Sequence, residues 1–177
     1  MNENFTNAFN SIVGIEGGFS NNSADLGGPT KFGITQAVAQ TNGYTGDMQD
    51  MPIEVAQAIY KTKYWDVNNL DRISDISYPI AYEVFDTGVN MGITVPAKFL
   101  QRGLNLLSRA GALYESIVVD GKIGNHTLNI LGTLGEADLK ALLHIMNILQ
   151  GERYIEICES NETQQAFIRG WLKRTYD

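Results

Sequence analysis

The chain has 177 residues, 44% of them hydrophobic, with a formal net charge of −7 at neutral pH and a sequence pI of about 4.8. That length and apolar content suit one substantial globular core, and no apolar run approaches the ~18 residues of a membrane-spanning helix. The acidic balance argues against non-specific nucleic-acid binding, which relies on Lys and Arg at phosphates, and against an unaided attack on an anionic outer membrane.

Met1-Asn2-Glu3-Asn4-Phe5 has neither the basic nor the apolar region of a secretion signal, so the expectation is a protein made in soluble form without a Sec signal. Phe5, Phe9, Ile12 and Val13 recur at helical spacing and predict a first helix over residues 3–16, stopped by Gly17-Gly18. Glu16 would then occupy the last turn, where the negative end of the helix dipole and partial burial both raise a carboxyl pKa. A carboxylic acid still protonated near neutral pH is what a general acid requires. Residues 17–35 read as a Gly-rich hairpin region whose Asn and Ser residues suit turns. Folding back would bring Asp25 toward Glu16, and two carboxyls flanking one cleft are the machinery of glycoside hydrolysis. Thr30 and Thr35 add hydroxyls able to orient a water.

Thr35 caps a short helix over 36–42 that Asn42-Gly43 ends. Pro52 suits a helix start, with Ile53, Ala56 and Tyr60 on one face and Tyr64 a turn further. Tyr64 and Trp65 are either a wall on which a sugar face stacks or core rings between helices. Pro79 opens a helix that closes near Gly92, and Thr94 with Pro96 starts another whose stripe is Val95, Phe99, Leu100, Leu104 and Leu107. Asp120-Gly121 marks a tight turn before a helix starting at Gly124-Asn125. A long, nearly continuous apolar helix from Ala137 to about Glu159 reads as buried and central. A last helix, Glu162 to Arg174, carries Phe167 and Trp171 on one face. Arg153, Arg169, Lys173 and Arg174 make this end basic, as a solvated face or an approach to anions. Cys158 stands alone and reads as a buried thiol. His126 and His144 are not spaced like a zinc site, so no metal and no cofactor is expected.

Glu16-Gly17-Gly18-Phe19, followed by Asp25-Leu26-Gly27-Gly28-Pro29-Thr30-Lys31-Phe32-Gly33-Ile34-Thr35, resembles the signature of the glycoside hydrolase family 108 N-acetylmuramidases of phage endolysins and prophage-derived muralytic proteins. The resemblance runs on through Tyr60–Trp65, Phe85–Gly92, Asp120–Gly124 and Phe167–Arg174, nearly the whole chain. It implies that Glu16 is the general acid, with Phe19 standing where the family often has Tyr. The order Glu16, Asp25, Thr30 is also similar to that of phage lysozymes of the T-even kind, with Thr30 one residue closer to the aspartate. In lysozyme-like folds an equivalent central-helix Asn or Asp faces the saccharide or ties the two lobes together, which the likeness implies for Asn90 in the last turn of its helix; the residue chemistry alone allows helix-end bonding for Asn90 and favours it for Asp86. The turn at Asp120 to Thr127 resembles that of small peptidoglycan-binding modules.

The expected fold is mainly α and lysozyme-like, with seven to nine helices and at most a small β-hairpin near residues 18–35. A catalytic segment, 1–93, and a peptidoglycan-binding segment, 94–177, are expected to pack as one unit. The implied function is hydrolysis of the β-1,4 bond between N-acetylmuramic acid and N-acetylglucosamine by a phage or prophage endolysin. Catalytic candidates are Glu16, Asp25 and Thr30; substrate-binding candidates are Tyr64, Trp65 and Asn90. The partner is bacterial peptidoglycan, with no nucleic acid, no stable membrane insertion and a monomeric state. The enzyme would be made in the host cytoplasm and act on the wall after release. Two alternatives stay open: a lytic transglycosylase, which needs only one glutamate, and a wall-binding protein without activity.

Overall fold

The computed structural model describes residues 2–14, 18–20 and 28–176, and the chain packs into two compact units, Met1–Val67 and Asn68–Asp177. The described residues hold nine α-helices and one two-stranded antiparallel sheet. This is the mainly α architecture expected.

In the first unit, α1 (Glu3–Ile12) starts at Asn2, whose side chain accepts from the Asn4 N–H at 2.9 Å, and buries Phe5, Ala8 and Phe9. The helix ends earlier than its apolar pattern suggests. Gly14 adopts φ +78° and its N–H bonds Asn10 O at 3.2 Å, so the stop comes from this left-handed glycine instead of Gly17-Gly18. Strands β1 (Thr30–Lys31) and β2 (Ile34–Thr35) pair antiparallel, Thr30 opposite Thr35, and Ser20 bridges back to Thr30. Thr35 then caps α2 (Gln36–Thr41) through the Val38 N–H, and Gly43 at φ +89° follows its end. Pro52 precedes α3 (Ile53–Tyr60), which runs on into a π-helical turn, Lys61–Trp65. The core of this unit is aromatic: Phe5 meets Trp65 edge-on at 5.4 Å, and Phe9 meets Tyr60 edge-on at 5.4 Å.

The second unit is organised on α5 (Tyr78–Met91), which packs on α4 (Leu70–Ile76), α6 (Thr94–Leu107) and α8 (Glu136–Ser160). Gly103 sets the approach of α6 to α8, because a Cβ there would lie 2.5 Å from Leu142 Cδ1. The connection from α6 to α7 (Asn125–Leu131) has no regular structure and is held instead by side chains of α6. Asn105 both donates to Ile117 O and accepts from Ile117 N, each at 2.8 Å, and Gln101 bonds Asp120, Gly121 and Lys122. Helix α8 departs from the buried central helix expected of it. It buries one stripe, while Ile148 and Ile155 are 56% and 48% exposed. The last expected helix is three pieces: a 3-10 stretch Glu162–Phe167, α9 (Ile168–Leu172) and a 3-10 turn Lys173–Thr175. Phe167 and Trp171 do share a face, stacked at 5.8 Å, with Trp171 stacked in turn on Tyr154 at 5.2 Å.

Candidate active site

Glu16 and Asp25 lie outside the described residues. Helix α1 closes at Ile12, so the helix expected over residues 3–16 ends earlier. What the structure does describe is the bridge on either side of Asp25 in sequence. Ser20 and Thr30 exchange both backbone hydrogen bonds at 2.8 Å, so the stretch containing Asp25 starts and ends at one bridge.

The hairpin beyond that bridge turns through Phe32 at φ +51° and Gly33 at φ +72°. Two consecutive positive φ values make a type I′ turn, whose twist matches that of the strands. Phenylalanine is an unusual occupant, since a left-handed residue with a Cβ costs about 1–2 kcal/mol. Two interactions offset this strain: the Phe32 ring is buried, and Tyr60 donates its hydroxyl to Phe32 O at 3.1 Å. Burial, with Tyr64 nearby, pushes the Tyr60 phenol to about 12, so it stays a donor across the physiological range. Gly33 is needed for space as well as conformation, since a Cβ would meet the Tyr60 hydroxyl at 2.8 Å. Lys31 bonds Gln49 O and lies 5.4 Å from the Phe32 ring centroid, fastening the outer side of the hairpin.

Thr30 is half-buried on β1 and donates its hydroxyl to Gly28 O at 3.1 Å. Its oxygen retains acceptor capacity toward a water. Tyr64 is half-buried with its ring 5.4 Å from Tyr60, leaving part of its face to solvent. Trp65 has no exposed surface at all. The sugar-stacking alternative for Trp65 therefore gives way to the core one: the ring fills the space beside Phe5 and offers no face to a ligand.

In the second unit Asn90 is exposed and donates to Asp86 O at 2.7 Å and Asp86 Oδ1 at 3.3 Å, a helix-end bond of the kind weighed for it. Asp86 does more than close a helix end. It accepts from Arg174, within a buried polar cluster that sequence reasoning missed. Gln150 donates to Thr87 at 2.8 Å, and Thr87 donates to Glu83 at 2.7 Å. Burial pushes the Glu83 carboxyl up to about 8, with the Thr87 hydrogen bond partly opposing, and burial also raises Asp86 against the pull of Arg174. These carboxyls are 4% and 3% exposed, so neither reaches a glycosidic oxygen. They tie α5, α8 and the C-terminal turn together.

Comparison with known proteins places this frame. Residues 9–92 match the family described as glycosyl hydrolase 108, and residues 95–176 match one described as a predicted peptidoglycan domain. The chain carries a family 108 glycosyl hydrolase segment. Its activity is that of a glycosidase acting on peptidoglycan, and its second half is a peptidoglycan domain. The solved structure of Brucella abortus SagA is similar in fold, with a TM-score of 0.58 at 20% identity, covering 98% of this chain and 96% of that one. No relative among curated proteins matches the chain. The two family spans meet between residues 92 and 95, whereas the compact units divide after Val67, so α4 and α5 belong to the hydrolase span and to the second unit. Among the described residues no cluster of His, Cys, Asp and Glu could hold a metal, and no helix is long and apolar enough to cross a membrane.

Proposed function

We propose that this family 108 hydrolase is an N-acetylmuramidase, cutting the β-1,4 bond between N-acetylmuramic acid and N-acetylglucosamine. Glu16 gives its proton to the glycosidic oxygen as the bond to the muramic-acid C1 breaks. Asp25 takes a proton from a water that attacks C1 from the opposite face, which inverts that centre. Thr30 accepts a hydrogen bond from this water, and Tyr64 offers a ring face to a sugar.

The observation that carries the reading is the glycosyl hydrolase match over residues 9–92, which encloses Glu16, Asp25, Thr30 and the Tyr60-anchored hairpin. Glu16→Gln keeps the shape and removes the proton, so clearing of permeabilised Gram-negative cells should fall by about two to four orders of magnitude. A Glu16→Gln protein that clears walls at the native rate sinks the assignment. Hydrolysis should also leave reducing muropeptides that carry oxygen from labelled water. Mainly 1,6-anhydro products would mark a transglycosylase instead.

The same reading makes the enzyme a phage or prophage endolysin, held in the host cytoplasm and acting on the wall once the inner membrane opens. A single cysteine supports it, because folding then needs no oxidising compartment. Lysis that requires co-expression of a membrane-permeabilising partner checks it.

A further inference from the structure

The second compact unit sets two buried carboxyls against one cation. Glu83 and Asp86 lie three apart on α5, a spacing that puts them on one side of the helix, and both are almost wholly buried. Arg174 of the C-terminal turn pairs with Asp86 and also bears on Glu83. From α8 the cluster is faced by Tyr154, whose phenol burial lifts to about 12, so it keeps its proton. Among the described residues no charged group of α4 or α6 bears on Glu83.

One guanidinium neutralises one carboxylate, and a second buried negative charge a turn away is costly, so Glu83 keeps its proton while Asp86 holds the cation. Burial lifts Glu83 from its ordinary 4.5 to about 8, against the Thr87 hydrogen bond, with Asp86 adding to the rise and Arg174 opposing it. The hydrogen bonds fit a neutral Glu83. Gln150 donates to Thr87 and Thr87 donates to Glu83, while Gln150 Oε1, wholly buried, is an acceptor with no partner among the described residues. A protonated carboxyl brings that cluster one more donor.

The same cluster fastens the end of the chain. Residues 162–175 lie along α8 as a strap in which no residue is buried. Its hold comes from a few contacts: Trp171 stacks on Tyr154 at 5.2 Å, Leu172 and Thr175 sit over Gly151, and Arg174 closes on Asp86. A segment with so little buried surface opens at a small free-energy cost, so a single buried charge is enough to shift it.

We propose that this strap is a pH-operated latch, shut while Glu83 holds its proton and released as Glu83 ionises beside Asp86 and competes for Arg174. With the strap lifted, Glu83 meets water and its pKa falls back toward 4.5, so the lifted form binds fewer protons than the closed one. Opening therefore grows as pH rises toward about 8, by up to about tenfold per pH unit, and levels off once the closed form has lost the proton too. The latch is tightest in acid and loosest at and above that pH.

The test digests the full chain with trace trypsin from about pH 6 to about pH 9 and follows cleavage after the exposed Arg169 and Lys173 by mass spectrometry. Each rate is divided by that of the isolated strap peptide at the same pH, so the quotient reports the open population. It should rise at least about tenfold between pH 6 and pH 8 and then level off. Glu83→Gln, which keeps the neutral shape at every pH, should hold one low rate throughout. Asp86→Asn leaves Arg174 to Glu83 alone and makes ionisation easier, so its rise should level off at a lower pH. Cleavage after Arg153, in the body of α8, should stay far slower in every sample. A native strap insensitive to pH, a Glu83→Gln chain with the native rise, an Asp86→Asn plateau at the native pH, or equal rates at Arg153 and Lys173 overturns the proposal.

Discussion

Gly33→Ala tests whether the hairpin is held as described. The backbone at Gly33 has φ +72°, where an alanine costs about 1–2 kcal/mol that glycine does not. The new methyl would also lie 2.8 Å from the Tyr60 hydroxyl, which must move and give up its bond to Phe32 O. Losing that buried bond adds about 1–2 kcal/mol, for a total of about 2–4 kcal/mol. In a chain of this length that corresponds to a Tm lower by about 5–15 °C, measurable by calorimetry or circular dichroism. A double-mutant cycle makes the argument specific. Tyr60→Phe removes the hydroxyl that the methyl strikes, so Gly33→Ala placed on Tyr60→Phe should cost about 1 kcal/mol less than on the native chain. A Gly33→Ala protein melting within about 1 °C of the native one, or strict additivity in the cycle, would refute the reasoning.

Glu83→Gln should flatten the pH dependence of stability. The native-state carboxyl holds its proton up to about 8 while the unfolded one loses it near 4.5, so the native state binds the extra proton and stability falls as pH rises between those values, by up to about 1.4 kcal/mol per unit. Melting scans from acid to alkaline pH should show the variant gaining on the native protein toward pH 8; parallel curves would count against the shift. Trp65→Ala should cost about 3–5 kcal/mol through a core cavity and leave little folded protein, whereas Tyr64→Ala should fold and raise KM for wall fragments with kcat largely kept. A well-folded Trp65→Ala protein with impaired binding alone would return Trp65 to the sugar site.

What was legible from sequence was legible for local reasons. The Thr35 cap, the glycines at 43 and 92, and the Asp120-Gly121 turn each state their conformation within a few residues, and each is found where expected. The end of α1 was misjudged because two glycine signals compete, one at Gly14 and one at Gly17-Gly18, and an apolar pattern does not rank them. Helix α4 escaped notice because seven residues give its periodicity too few turns to register. The reading of α8 failed for a different reason. Its apolar residues are spread around the helix, while the stripe that turns inward carries Asn147, Gln150 and Tyr154, and only the folded chain shows which polar side chains meet partners there.

Those inward polar positions are where the second half of the chain departs from an ordinary helical core. Gln150 joins the Glu83 and Asp86 cluster that Arg174 completes, and Asn147, a turn earlier on α8, lines the pocket closed by Thr175 and Tyr176. One short terminal segment thus supplies both an ion pair with α5 and one wall of that pocket. A core built for stability alone would place apolar side chains on that stripe, since burying unpaired polar groups costs about 1–3 kcal/mol each. Asn147 Oδ1, Gln150 Oε1 and Tyr154 OH all lie on this stripe without a hydrogen-bond partner among the described residues, so the stripe carries a polar cost that the Arg174 ion pair and the Gln150 bonds offset only in part. Arg174→Ala leaves the buried Asp86 carboxylate without its cation, so it should loosen the terminal turn and lower the Tm, read by circular dichroism; an unchanged Tm would refute the cluster's role as a tie between α5 and the C-terminal turn.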